Sequence, residues 1–302
     1  MKLYIRSSRA IEAKVSDKDY SNSITGTAYK VFVVRNGKLY PPKVANAGGE
    51  ATPTGVWLDA EEGDFVELDG LKRIIEDGGT SKKRLLERIA NLDNLDPQAR
   101  AEEVQSLKKA TLAYRPGWHL GDEPRAKQFD CKYSWQAVEL EESDVVTGTV
   151  NTYNSFINRC VVGKNVGNIY YVKDVDEYFQ VVDDNAPYFP YNFVWAECEY
   201  VMDIDYQAEA EEQGYMRTKP DGTKYKSDKY QHSAAGLQRI PENGSYKYRT
   251  NPNPDTVPWV ITGAIRVSKL LDDADVRAIL GNRAPERQGG DKTLAELGLT
   301  QI

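Results

Sequence analysis

The residues Tyr114-Arg115-Pro116-Gly117-Trp118-His119-Leu120-Gly121 gather more chemistry than any other run of this 302-residue chain, which has only two histidines. Arg115 offers a planar fork that matches a phosphate or a carboxylate. His119 can donate to a ribose hydroxyl or move a proton near neutral pH. Pro116-Gly117 makes a rigid bend and Gly121 permits a second, so Trp118 and His119 are presented on a short segment between them. Pro124 reads as a helix start over "PRAKQF", a helix end that would favour an anion. The competing reading is a tight connection in which Trp118 fills the core and His119 closes a turn.

A second constellation lies in "FVWAECEYVMDIDY", residues 193–206. At a strand's period of two, Val194, Ala196, Cys198, Tyr200, Met202, Ile204 and Tyr206 share one face, and Trp195, Glu197, Glu199, Asp203 and Asp205 share the other. Four carboxylates beside a tryptophan suit a general base or a hard divalent metal; an exposed acidic strand face is the plain alternative. Cys198, on the apolar side, is expected to be buried and unreactive. A third run, "NGSYKYRTNPNPDTVPWVITGAIRV", alternates Tyr246 and Tyr248 with Lys247 and Arg249, then enters a loop stiffened by three prolines. The second histidine, His232, lies in a polar loop.

The elements that must hold these groups are strand-rich. "AYKVFVVRNGKLY" (28–40) reads as a hairpin turning at Asn36-Gly37. Residues 80–111 switch to helical spacing (Leu85, Leu86, Ile89, Leu92), with Asp96-Pro97 as a cap and first helical residue. This predicts a charged helical hairpin inserted between β-rich parts. Short helices are expected after Asp205 and after Asp273. The last twenty residues look frayed. The expected class is α+β: mostly antiparallel sheets, a helical-hairpin insertion and a few short helices. The expected division is a small β-rich unit over 1–79, the hairpin over 80–111, and a main domain carrying the site over 112–302.

Composition narrows the function classes. The net charge of −7 supplies no global basic field for a nucleic-acid backbone. No run of about 18 apolar residues is present to span a membrane. Three cysteines stand singly and no leader-like apolar segment opens the chain, so reduced thiols in the cytoplasm are expected. Isolated cysteines and two histidines offer no zinc ligand pair. The spacing motifs of P-loop NTPases, Rossmann dehydrogenases, HExxH proteases and GxSxG hydrolases are all missing. Nineteen tyrosines against seven phenylalanines suit amphipathic strands and half-wet surfaces.

Three segments, "LAYRPGWHLGDEPRAKQF", "FVWAECEYVMDIDYQAEA" and "YKYRTNPNPDTVPWVITGAIRV", resemble an uncharacterised family of gut phages and mobile elements, often found inside large polyvalent proteins. The likeness covers most of residues 28–60 and 112–295. It implies action in the cytoplasm of a bacterial host, with a host protein or nucleic acid as partner. A weaker similarity is to ADP-ribosyltransferases, on "YRPGWHLGDEPRAKQF" and "WVITGAIRV". That resemblance implies NAD as cofactor, held by Tyr114, Arg115, Trp118, Trp195 and Arg249. Arg115 would take the pyrophosphate and His119 a ribose hydroxyl, while Glu197 or Glu199 would stabilise the oxocarbenium-like centre. The acid usual just before the last strand is absent here, with Asp255 the nearest. The sequence thus leaves three readings: a transferase, a non-enzymatic binding module, and a metal-dependent nuclease built on the four acids.

Overall fold

The computed structural model describes residues 15–42, 51–75, 80–126, 129, 131–151, 167–212, 237–248 and 259–302. It has the α+β, strand-rich and mostly antiparallel architecture that the sequence predicts, with four short helices among the described residues.

In chain order, β1 (Thr25–Arg35) turns into β2 (Lys38–Tyr40) through Asn36 and Gly37. Both turn residues have positive φ, 50° and 68°, which is what a two-residue hairpin turn requires. β3 (Trp57–Asp59), β4 (Val66–Leu68) and β5 (Leu71–Ile74) precede helices α1 (Thr80–Ala90) and α2 (Pro97–Ala110). The Asp96 carboxylate caps α2, accepting from Gln98 N and Ala99 N at 3.0 Å each. Then come β6 (Leu112–Ala113), β7 (Trp118–Gly121), β8 (Cys131–Ala137), β9 (Val146–Val150), β10 (Ile169–Val172), β11 (Glu177–Tyr188) and β12 (Phe193–Val201). The chain continues through β13 (Ile204–Asp205), α3 (Gln207–Glu212), β14 (Gly244–Tyr248), β15 (Trp259–Thr262), β16 (Ala264–Leu271) and α4 (Asp273–Leu280).

Nine strands form the principal sheet, in the order β13-β14-β15-β7-β1-β12-β16-β3 with β2 on β1. Strands from both sides of the helical hairpin share it. β15 and β16 are one run of chain bent at Gly263, so the path from β7 through β1, β12 and β16 returns through that glycine to β15, which pairs with β7. The sheet therefore closes on itself. Two side chains mark the closure: Thr262 Oγ1 donates to the Val201 carbonyl at 2.9 Å, and Trp118 Nε1 donates to the Leu58 carbonyl at 2.9 Å. A Cβ at position 263 would stand 2.6 Å from the Pro241 carbonyl oxygen, so only glycine lets the strand turn there.

Ala28, Phe32, Leu120, Val194, Ala196, Cys198, Val260 and Val267 pack in the interior of this closed sheet. Lys30 shares their face and is 5% exposed. Its Nζ donates to the His119 carbonyl at 3.1 Å and lies 5.4 Å from the centre of the Trp118 ring. Burial lowers the Lys30 amine to about 8. The outer face is covered in part by Phe129, Phe189, Val276 and Leu280, packed on Val31, Val33 and Trp195.

The helical hairpin has a core of its own. Ile89, Leu92, Val104 and Leu107 pack with Leu68 against the sheet β4-β5-β6. Arg73 of β5 locks this unit, donating to the Lys108 and Thr111 carbonyls, at 2.7 and 2.6 Å, and to Thr111 Oγ1 at 3.1 Å. A third sheet, β8-β11-β10-β9, completes the described residues.

The C-terminal stretch corrects the expectation of fraying. Leu297 and Leu299 enter the interior cluster, and the Gln301 amide binds both the Leu270 N–H and its carbonyl. Arg287, 4% exposed, pairs with Asp273 through two bonds of 2.5 and 2.8 Å. Its Nη1 donates to the carbonyls of Pro190, Tyr191 and Phe193. These residues tie the segment to the start of β12.

Candidate functional site

The Arg115–His119 segment links the small β4-β5-β6/α1-α2 unit to the closed sheet. Gly117 makes the bend with φ 129°, and a Cβ there would meet Ile261 Cγ2 at 2.5 Å. From that bend β7 runs between β15 and β1. The helix expected over 124–129 does not start at Pro124: residues 122–126 are bends and irregular backbone, Phe129 lies in a 3-10 turn with its N–H on the Ala126 carbonyl, and 127 and 128 lie outside the described residues.

His119 faces the outside of the closed sheet but is tied down. One ring nitrogen, Nε2, lies 2.8 Å from the Arg115 carbonyl, which can only accept, so Nε2 carries the proton. Nδ1 then accepts from the Tyr248 hydroxyl at 2.7 Å. Part of the residue reaches solvent, yet both nitrogens are committed. Burial first, then the charges of Arg115 and Lys30, push the imidazole down to about 3, against a partial rise from the Arg115 carbonyl. His119 is a neutral brace between the bend and β14, with no lone pair left for proton transfer.

Arg115 is the opposite case. Its guanidinium stacks 4.7 Å from the centre of the Tyr248 ring. Its Nε is buried without a partner. Among the described residues it has no carboxylate within ion-pair distance, and Nη1 and Nη2 make no hydrogen bond. Tyr114, expected beside it, turns instead to Phe65, with ring centres 5.1 Å apart, and lies under Lys72.

The acidic face does not form as the alternation suggests. β12 ends at Val201, Met202 and Ile204 are exposed, and the pattern breaks. Asp203 accepts from the Ile24 N–H, and Asp205 accepts from Gln207 N at 2.9 Å in front of α3. Trp195 is 1% exposed and stacks on Phe189, so it is a core ring rather than a ligand platform. Trp118 likewise points inward. Cys198 is 0% exposed, as expected, and burial raises its thiol to about 12. Both faces of β12 are buried at its start because other elements cover the outer one.

Two acids remain on that outer face. Glu199 accepts from Arg266 Nε at 2.6 Å in a salt bridge. Glu197 stands at the level of Tyr29 and Gly121 across three strands. His119 lies two residues along β7 from that level. Strand spacing and rise then put the His119 and Glu197 Cα atoms about 12 Å apart, and Glu199 about 16 Å away. Arg249 and His232 lie outside the described residues. Among the described residues, no three His, Cys, Asp or Glu side chains are grouped to hold a metal ion. No helix of the described residues is long and apolar enough to cross a membrane.

Arg73 carries no mark in the sequence, since Leu-Lys-Arg-Ile reads as an ordinary short strand. It approaches Arg115 only because β5 and β6 pair.

No protein-family model, no curated protein and no solved structure matches this chain.

Proposed function

We propose that this protein is a binding module for an anionic ligand, seated on the Arg115 guanidinium above Tyr248. One observation carries the reading: a half-buried arginine whose Nε is buried without a partner and whose guanidinium has, among the described residues, no carboxylate or hydrogen-bond acceptor. An arginine so placed suits an anion, which would satisfy the buried Nε and engage the open end of the fork. The net charge of −7 favours a discrete anionic group over a long polyanionic track. The pyrophosphate of NAD belongs to this ligand class, as does an anionic group on a bacterial host protein or nucleic acid.

Binding is favoured over transferase chemistry because His119 is neutral and both its nitrogens are engaged. A second reading, an NAD-using transferase, rests on Glu197, whose carboxylate makes no hydrogen bond among the described residues and shares the His119 face. The test is thermal shift with inorganic pyrophosphate and with NAD. Both should raise the Tm of the wild type and leave Arg115→Gln unmoved, and Glu197→Gln should bind as the wild type does. Equal shifts in Arg115→Gln would sink the binding reading. NAD turnover abolished by Glu197→Gln would replace it with the transferase.

A further inference from the structure

Resting on the Arg115 reading, we infer that Arg73 is the second arm of the same site. The ligand's anionic group is then a phosphate dianion held between two guanidiniums, and it fastens the small helical unit to the closed sheet. The register carries this. Arg73 is paired with Ala113 across β5 and β6, and the ladder extends one step further, with Tyr114 N donating to the Lys72 carbonyl. Arg115 is two residues past Ala113, just beyond the end of β6, so continuing the extended chain returns it to the Arg73 side. Arg73 and Arg115 are therefore diagonal cross-strand neighbours, whose Cβ atoms lie about 7–8 Å apart in such a pair, well within reach of two arginines.

Like charges in that relation repel. Burial first, and the Arg115 charge second, hold the Arg73 guanidinium below its ordinary value. The Thr111 hydroxyl accepts from Nε of Arg73, and the Lys108 and Thr111 carbonyls at the end of α2 accept from its Nη2 and offset part of its charge. Its Nη1 makes no hydrogen bond among the described residues, and neither arginine has a carboxylate partner there. A carboxylate ligand would neutralise one of the two cations. A phosphate carries about two charges and three acceptor oxygens, and so meets both forks. Once bound, it would complete a polar chain from the end of α2 through Arg73 and Arg115 to Tyr248.

The experiment titrates the protein with inorganic phosphate and with acetate at matched ionic strength, and follows hydrogen exchange over residues 107–113. Phosphate should bind in clear preference to acetate and slow exchange in that segment. Arg73→Gln, if its melt stays cooperative, should weaken phosphate binding by about tenfold, or 1.4 kcal/mol; the exchange measurement needs no variant. Acetate binding as tightly as phosphate, or phosphate binding with exchange at 107–113 unchanged, would overturn the two-armed site while leaving the Arg115 reading intact. A wild type that binds neither phosphate, pyrophosphate nor acetate would overturn both.

Discussion

Arg287 and Arg115 are set on aromatic rings in nearly the same way, 4.9 Å from the Phe189 centre and 4.7 Å from the Tyr248 centre. Their polar surroundings are opposite. Every nitrogen of Arg287 is used, two on Asp273 and one on three backbone carbonyls. Arg115 has a ring beneath it and, among the described residues, no acceptor at its nitrogens. Stacking alone therefore says little about why an arginine is present. The acceptors around the fork decide it: a saturated guanidinium holds chain to chain, whereas an unsaturated one leaves its binding capacity for something from outside.

The comparison can be broken most directly by mutation. Arg287→Ala should cost roughly 3–5 kcal/mol, as for a broken buried pair, and Asp273→Asn should cost nearly as much. Arg115→Ala should change stability by less than about 1 kcal/mol, because only the stack on Tyr248 goes and no ion pair or hydrogen bond is broken. Urea denaturation of the three variants would show it, and equal losses at 115 and 287 would erase the distinction.

A buried lysine sharpens it. The folded-state value of Lys30, about 8, lies below the amine's ordinary value of 10.5. The unfolded chain therefore binds more protons between these values, and stability should rise with pH through that window. The rise should approach roughly 3 kcal/mol, at 1.36 kcal/mol per pH unit. The raised Cys198 thiol acts oppositely above about 9, since its unfolded form ionises first. Lys30→Met keeps Cys198, so the difference between the two proteins, measured from pH 7 to 10.5, isolates the lysine. A flat difference would show that the amine is not held below its ordinary value. The smallest effect should come from Asp96→Ala. Loss of this cap should cost about 1 kcal/mol, read as faster hydrogen exchange in α2.

Features decided within a few residues were legible in the sequence. Asn36-Gly37 turns the hairpin, and Asp96-Pro97 starts α2. The short helices after Asp205 and near Asp273 form as well, the latter capped by Asp272 at 2.9 Å to Asp275 N. Pairings across the chain were not legible. Arg287 and Asp273 look like ordinary surface charges in "DDADVRAIL" and "APERQGG", because their partners arrive only when β12 and α4 pack. Trp118 and His119 were singled out as residue types, but their roles depend on Leu58 and Tyr248, 60 and 129 positions away. Alternation misled over residues 193–206, since period two assumes one dry face and here both faces of β12 start buried. Arg115 was found because its chemistry is unusual in itself. Arg73 was not, because only the register of β5 on β6 brings it near.

The bend at Gly263 also orders events in time. β1 is made early and pairs with β7 and β12, but the ring cannot shut until the run 259–271 has been synthesised. Until then β7 and β12 each keep one open edge, with unpaired N–H and C=O groups able to accept a strand from another chain. The growing chain thus carries two adhesive edges from the completion of β12 until residues 259–271 follow, and a single strand bent at Gly263 covers both.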